Sequence, residues 1–375
     1  MIYVMKHLAL AMGMGLLFAT KVGAQGTLVP LTSAQVAQLR WQDDDTLATL
    51  NQAIQRSLNY YQRVHPATRF TYGEEQYSPQ EMQASLRLFK RVMNLPLAQR
   101  QRVLAAQFAV FASQNDQGTA FFTGYYQPEI LARRQPEEMW HTPVHGYPGV
   151  TQASRTDIAQ GALAGQAPIL AYVDPIEHFF LQVQGSGLLV FPDGRRQWVG
   201  FAGHNQQPYR SIGKLLVQEG IFTPETVSMP AIKAYLRQNP QEVPRVFAHN
   251  PRYVFFAPRN QAPGGALGQP LTAGRSLAMD QHLIPKGGLA FVTTTYPVTA
   301  QSWRPLTRFM LVQDTGSAIV GHGRGDIFWG QGATAELRAG LMKQPGQLWL
   351  LVAKKSALAG VKTGSTPATA QLKVP

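Results

Sequence analysis

Apolar positions recur at two different periods along this chain, and the change of period divides it. In the first part they return every three to four residues. Leu47, Leu50, Ile54, Leu58 and Tyr61 form one such stripe behind Asp43, Asp44 and Asp45, which predicts a helix ended by Pro66. Ser78-Pro79-Gln80-Glu81 is a capping box with proline at the first helical position, and Met82, Leu86, Phe89 and Met93 continue it as one apolar face. Pro96 separates that helix from a third, predicted over Ala98 to Phe111. All three read as packing helices without chemistry.

From Thr119 onward the period shortens. Brief apolar runs are broken by Gly, Pro and Asp: F-F-T-G-Y-Y, P-I-L-A-Y-V-D-P, F-F-L-Q-V-Q-G-S-G-L-L-V-F-P-D-G and R-Q-W-V-G-F-A-G. These predict strands and hairpins, with a turn at Pro192-Asp193-Gly194. Helices are expected at Ser211 to Glu219, closed by Gly220, and at Ala231 to Gln238, stopped before Pro240. Strands resume at Tyr253 to Phe256. Ser276 to Ala353 again reads as β, with one short helix near Ala335 to Met342. The fold class expected is mainly β with N-terminal helices. The Ala-, Thr-, Gly- and Ser-rich stretch 356–375 reads as a flexible tail.

Composition adds three constraints. At 375 residues there is room for two domains and a sizeable core. Lys6 and His7, the apolar run Leu8 to Ala19 and the small residues Val22-Gly23-Ala24 read as a secretory signal over residues 1–24, too short to span a bilayer. The chain contains no cysteine, so neither a disulfide nor a lipid-bearing cysteine is expected, and a periplasmic protein, associated or not with the outer membrane, is the reading. A formal charge of +13 favours polyanionic partners. For an exported protein these are cell-wall carboxylates or anionic lipid rather than nucleic acid; a simply solvated basic surface is the alternative.

The chemistry concentrates in Q-D-T-G-S-A-I-V-G-H-G-R-G-D-I-F-W-G-Q-G, Gln313 to Gly332. It sets Asp314 and Asp326 among dense glycines and before Phe328-Trp329. Asp280 lies upstream in R-S-L-A-M-D-Q-H-L-I-P-K-G-G. Glycine at this density marks tight turns or close approach of a ligand to backbone. The competing reading is that the aspartates only cap turns. There is no Walker A sequence, no G-x-S-x-G elbow and no H-x-x-E-H spacing, so no metal and no cofactor are expected.

This segment resembles the 3D domain, named for three aspartates, of the membrane-bound lytic murein transglycosylase A family. Asp280, Asp314 and Asp326 fall at the three positions. F-T-G-Y-Y-Q-P (Phe122 to Pro128), Q-V-Q-G-S-G (Gln182 to Gly187), Y-R-S-I-G-K-L-L (Tyr209 to Leu216) and N-P-R-Y-V-F-F (Asn250 to Phe256) resemble family blocks in the family's order. The resemblance implies a double-psi β-barrel domain, over residues 25–127 and 254–355, into which a smaller β domain, 128–253, is inserted, with the glycan groove between them. It implies cleavage of the β-1,4 bond between N-acetylmuramic acid and N-acetylglucosamine without water, leaving a 1,6-anhydromuramic acid end. Asp326 is then the one acid and base, with Asp314 and Asp280 in support. Thr123, Tyr125, Tyr126, Gln127, Gln184, Ser186, Phe328 and Trp329 are the expected substrate contacts. The expected partner is the peptidoglycan strand, with other cell-wall enzymes as further candidates and a monomer as the unit. A non-catalytic peptidoglycan-binding protein is the alternative. So is a hydrolytic, endoglucanase-like glycosidase, which would need a second carboxylate, for which Asp193 and Glu219 are the candidates.

Overall fold

The structure is a computed structural model that describes residues 27–359 apart from 263 and 317. The expected signal and most of the expected tail lie outside the described residues. Within them no helix is long and apolar enough to cross a membrane.

Six strands close into a barrel. Lys343–Ala353 pairs with Leu289–Pro297, which pairs with Trp303–Asp314. Trp303–Asp314 runs parallel to the short strand Ser276–Ala278, which pairs in turn with Arg324–Gln331. Arg324–Gln331 runs parallel to Ala120–Gln127, which returns to Lys343–Ala353 and shuts the ring. Closure leaves no barrel edge unpaired along these strands, so the interior can be filled with apolar side chains. Leu277, Ile327 and Leu350, and on the opposite face of the wall Leu289, Phe291, Phe309 and Leu311, are all buried in the core that the barrel shares with the N-terminal helices, where Phe291 meets Trp41 and Phe309 meets Phe89.

The N-terminal helices pack onto this barrel. Leu47–Arg63 is capped by Thr46 and buries Leu50, Ile54, Leu58 and Tyr61. Pro79–Val92 carries both halves of the capping box, from Ser78 and from Glu81. The three aspartates before the first of these helices do more than favour its N-terminus. Asp43 takes both ends of the buried Arg275 fork, at 2.6 and 2.7 Å, and Asp44 meets Arg308 at 2.6 Å. They bolt the helical layer to the barrel.

The predicted third helix is corrected. It covers Leu97–Gln107 and then gives way to a strand, Phe108–Gln114, which pairs with Lys343–Ala353. Phe108-Ala-Val-Phe-Ala fits either period, and the far half of Lys343–Ala353, beyond its barrel-closing contact with Ala120–Gln127, takes it as a strand.

A second sheet of six strands is inserted between Ala120–Gln127 and Ser276–Ala278. Its order is Val254–Arg259, Arg196–His204, Ser186–Val190, Glu129–Arg133, Ile169–Val173 and Thr142–His145. It has its own apolar clusters, one centred on Ala132, Leu181, Leu189 and Val199, another on Phe179, Leu216, Leu236 and Val246. Two expectations change here. Val254–Arg259 pairs with Arg196–His204, so the second sheet runs past residue 253. F-F-L-Q-V-Q is also helical rather than extended, as part of Pro175–Gln184. Asp174 caps that helix by accepting from the Ile176 and Glu177 amides, Pro175 opens it, and Gly185 closes it at φ 79°. Asp-Pro before the apolar run was the sequence signal for a helix start.

Candidate active site

Strand register assembles the site. Asp326 stands directly opposite Thr123 on one neighbouring strand and opposite Ala278 on the other. Ala278 in turn stands opposite Asp314. Thr123, Asp326, Ala278 and Asp314 therefore form one row across four strands, with Asp326 and Asp314 two strand spacings apart, about 10 Å at the backbone. Asp280 follows two residues after Ala278. Sequence positions up to 203 residues apart become neighbours by this register alone.

Glycine makes the row close-packed. A side chain at Gly124 would lie 2.6 Å from Trp329 Nε1, so glycine there lets the indole seat beneath the Thr123 strand. Gly323 turns the chain into the Asp326 strand at φ 64°, pressed against the backbone of Asn115.

The row opens on a groove of about 1820 Å³ between the two sheets. The barrel side contributes Thr123, Tyr125, Asp280, Asp314, Arg324 and Asp326. The inserted sheet and its helices contribute Gln182, Gln184, Ser186, Tyr209, Arg155 and Arg252. The two walls differ in charge: all three carboxyls stand on the barrel wall, with Arg324 among them, whereas the inserted wall carries Arg155 and Arg252 and no carboxyl. Arg155 is 8% exposed and is held by carbonyl oxygens of Asn250 and Arg252 and by Gln182 Oε1, none of them charged.

The three aspartates have different surroundings. Asp326 keeps part of its surface open to the groove, yet burial pushes its carboxyl above the usual range, against the lowering effects of Arg324 and a hydrogen bond from Thr123 Oγ1 at 2.7 Å. The close protein walls, more than a neighbouring carboxylate, raise it. Asp314 is also raised, chiefly by burial, although three donors reach it: the Tyr125 hydroxyl at 2.7 Å and the Ala266 and Thr315 amides at 3.0 and 2.9 Å. The Asp326 charge adds to the increase at Asp314. Tyr125 pays no proton into this pair, since burial and the Asp314 charge push its hydroxyl far up. Asp280 is 7% exposed and accepts from the His282 and Gly321 amides, tying two loops together.

The expected contacts divide into two sets. Thr123, Tyr125, Gln184 and Ser186 line the groove. Tyr126, Gln127, Phe328 and Trp329 do not; each is buried at 5% exposure or less. The Tyr126 amide binds Gln184 Oε1, and its hydroxyl reaches Glu336. Gln127 accepts from Gln331, Phe328 leans on Tyr125, and Trp329 packs with Tyr296 and Arg338. Alternation along a strand sends neighbours to opposite faces, so Tyr126 cannot share the groove with Tyr125. Asp193 and Glu219 lie outside the groove lining, paired with Arg134 and Arg245. Sequence reasoning missed Arg324, though its place two residues before Asp326 put it on the same strand face.

Residues 149–257 match the family model described as the MltA specific insert domain, and residues 275–352 match the 3D domain. The chain is 36% identical over 258 residues to the membrane-bound lytic murein transglycosylase A of Vibrio cholerae, a span of 66% of this chain and 70% of that relative. This chain belongs to the membrane-bound lytic murein transglycosylase A family. The fold agrees over most of the chain. A membrane-bound lytic murein transglycosylase from Agrobacterium tumefaciens superposes with a TM-score of 0.73 at 26% identity, over 88% of this chain and 99% of that one. Escherichia coli MltA with bound chitohexaose superposes with a TM-score of 0.67 at 27% identity, over 88% and 92%. The family's paired models, insert and 3D, fall on the inserted sheet and on the barrel strands from Ser276 onward.

Proposed function

We propose that this chain is a lytic transglycosylase of peptidoglycan that cleaves the β-1,4 bond between N-acetylmuramic acid and N-acetylglucosamine and closes a 1,6-anhydro ring. The observation that carries this reading is Asp326. Its carboxyl sits at a groove of about 1820 Å³, with its proton affinity raised by burial. A protonated carboxyl there donates to the glycosidic oxygen as the C1–O bond breaks. The carboxylate left behind takes the proton of the muramyl C6 hydroxyl as that oxygen bonds to C1. One group serves both halves, and its starting state is restored without water.

A hydrolase would need a second carboxylate free to activate water. Asp314 faces the same groove, but three donors hold it, which supports an anchoring role for it. Asp280 spans two loops and is read the same way. Thr123, Tyr125, Gln184 and Ser186 are assigned to substrate contact, and the relative crystallised with chitohexaose supports an extended glycan as ligand. The insertion is read as residues 128–259, because the last strand of the second sheet ends at Arg259. Export to the periplasm, with envelope association like that of the membrane-bound relatives, is the matching location.

Mass analysis of digested peptidoglycan tests the assignment. Muropeptides one water lighter than hydrolysed products are expected, with chelator present throughout. Reducing muramyl ends would make the protein a hydrolase, and binding without any release would make it a carrier of glycan only.

A further inference from the structure

We propose that Arg324 is a positioning residue that fixes where the Asp326 proton sits, acting through the hydroxyl of Thr123. The inference rests on the reading of Asp326 as acid and base.

The geometry is a relay of three side chains. Arg324 precedes Asp326 by two residues on one strand, and Thr123 faces Asp326 across the parallel pair. Arg324 Nη2 donates to Thr123 Oγ1 at 2.8 Å, and Thr123 Oγ1 donates to Asp326 Oδ1 at 2.7 Å. The guanidinium is held in place by its other arm, which donates to the Gly325 carbonyl at 2.7 Å, and by the ring of Phe121 beneath it. No direct Arg324–Asp326 ion pair forms among the described residues; the hydroxyl stands between them.

Direction follows from donor chemistry. A guanidinium has donors only, so Thr123 Oγ1 must accept from it. The single hydroxyl hydrogen is then free to point at Asp326 Oδ1. A carboxylic proton on Oδ1 would compete with that hydrogen and forfeit the bond between them, a loss of about 0.5–1.5 kcal/mol. The proton of Asp326 therefore resides on Oδ2, the oxygen with no hydrogen-bond partner among the described residues. Oδ2 is left free for the groove, where the glycosidic oxygen must come. When the proton leaves, the new carboxylate already has a donated hydrogen bond on Oδ1 and a cation behind it.

The other charged groups around Asp326 are committed elsewhere. Asp314 holds its three donors, among them Tyr125. Asp280 accepts from two amides, and Ala278, opposite Asp326, carries no charge. Lys343 stands opposite Thr123 in register, but its Nζ binds the Pro224 and Val227 carbonyls. On the helix Ala333–Leu341, Glu336 pairs with Lys233, and Arg338 covers Trp329 and Tyr296. Arg324 is the cation that lowers Asp326 against its burial.

The test compares Arg324→Gln, Arg324→Lys, Thr123→Val and Thr123→Ser with wild type. Two readouts are taken: the pH profile of kcat/KM for anhydro-product release, and the titration of the Asp326 carboxyl by carbon NMR. Loss of the cation or of the hydroxyl makes Asp326 a weaker acid. Its titration and the alkaline limb of the profile should move up by about one pH unit in Arg324→Gln and Thr123→Val. The rate below the limb should fall by about 10²-fold, the usual loss when one fixed electrostatic partner of a developing charge is removed. Thr123→Ser should restore the wild-type position, and Arg324→Lys should lie nearer to wild type than Arg324→Gln. An Asp326 titration that stays put in both Arg324→Gln and Thr123→Val overturns the relay, whatever the rates do. If Arg324→Gln fails to fold, the Thr123 pair decides alone. Wild-type protein that titrates as expected yet releases no anhydro product would overturn the transglycosylase reading and leave the relay standing.

Discussion

Replacing Asp326 by Asn separates catalysis from stability at a single atom. Asn fits the same space, and its Oδ1 still accepts the Thr123 hydrogen that now spans 2.7 Å. What disappears is the proton at the other position. General acid–base assistance of this kind is worth about 10²–10⁴-fold, or about 3–5 kcal/mol of barrier. The expected loss of anhydro-product release lies in that range or beyond it, since one group serves both proton transfers. Stability should move the other way. The native carboxyl is raised by burial, so the folded protein holds its proton more tightly than the unfolded chain does. Folding therefore loses stability as pH rises from the unfolded carboxylate range, near about 3.9, through the native value. Asn has no proton to lose and escapes that cost at neutral pH. Its melting temperature at pH 7 should equal or exceed that of wild type, and the difference should shrink toward pH 4. Digestion of purified peptidoglycan with mass detection gives the rate, and circular-dichroism melts at the two pH values give the stability. A variant that keeps more than a tenth of wild-type activity, or that melts well below wild type at pH 7, would refute the assignment of a buried, proton-carrying Asp326.

Two further predictions concern the scaffold. Asp43→Ala leaves the buried Arg275 guanidinium without its bidentate partner, and breaking such a pair costs about 3–5 kcal/mol; denaturant midpoints should fall accordingly, and an unchanged midpoint would mean that Asp45 alone suffices for Arg275. Gly124→Ala drives a methyl to 2.6 Å from Trp329 Nε1, so about 1–3 kcal/mol of stability should be lost together with the alignment of Thr123 and Tyr125, read as a blue-shifted or quenched Trp emission change and a drop in activity; normal activity and stability would show that the indole can yield.

The aspartates illustrate what could be read early and what could not. Glycine density and β-prone neighbours around Asp326 left a ligand site and a set of capped turns both open until the family resemblance singled out Asp326, whereas the capping box at Ser78 and the stripe from Leu47 to Tyr61 gave two helices, because both signals are local. Phe108 to Phe111 and Phe179 to Gln184 depart from the expectation because their apolar runs fit more than one period; the free flank of Lys343–Ala353 makes the first a strand, and Asp174 with Pro175 makes the second a helix. Trp329 carried the composition of a sugar-stacking residue, yet strand alternation and the gap at Gly124 place it in the wall beneath the groove.

The order of the blocks, the absence of cysteine and the identity of the candidate acid were properties of the chain itself. Tertiary structure decided the rest. The row Thr123, Asp326, Ala278, Asp314 exists only once parallel and antiparallel pairings bring four strands into register. The rise in proton affinity at Asp326 comes from walls supplied by distant segments, and so does the counterweight of Thr123. A sequence lists which groups can donate, accept or ionise; how tightly each holds its proton depends on the dielectric and partners that only packing provides.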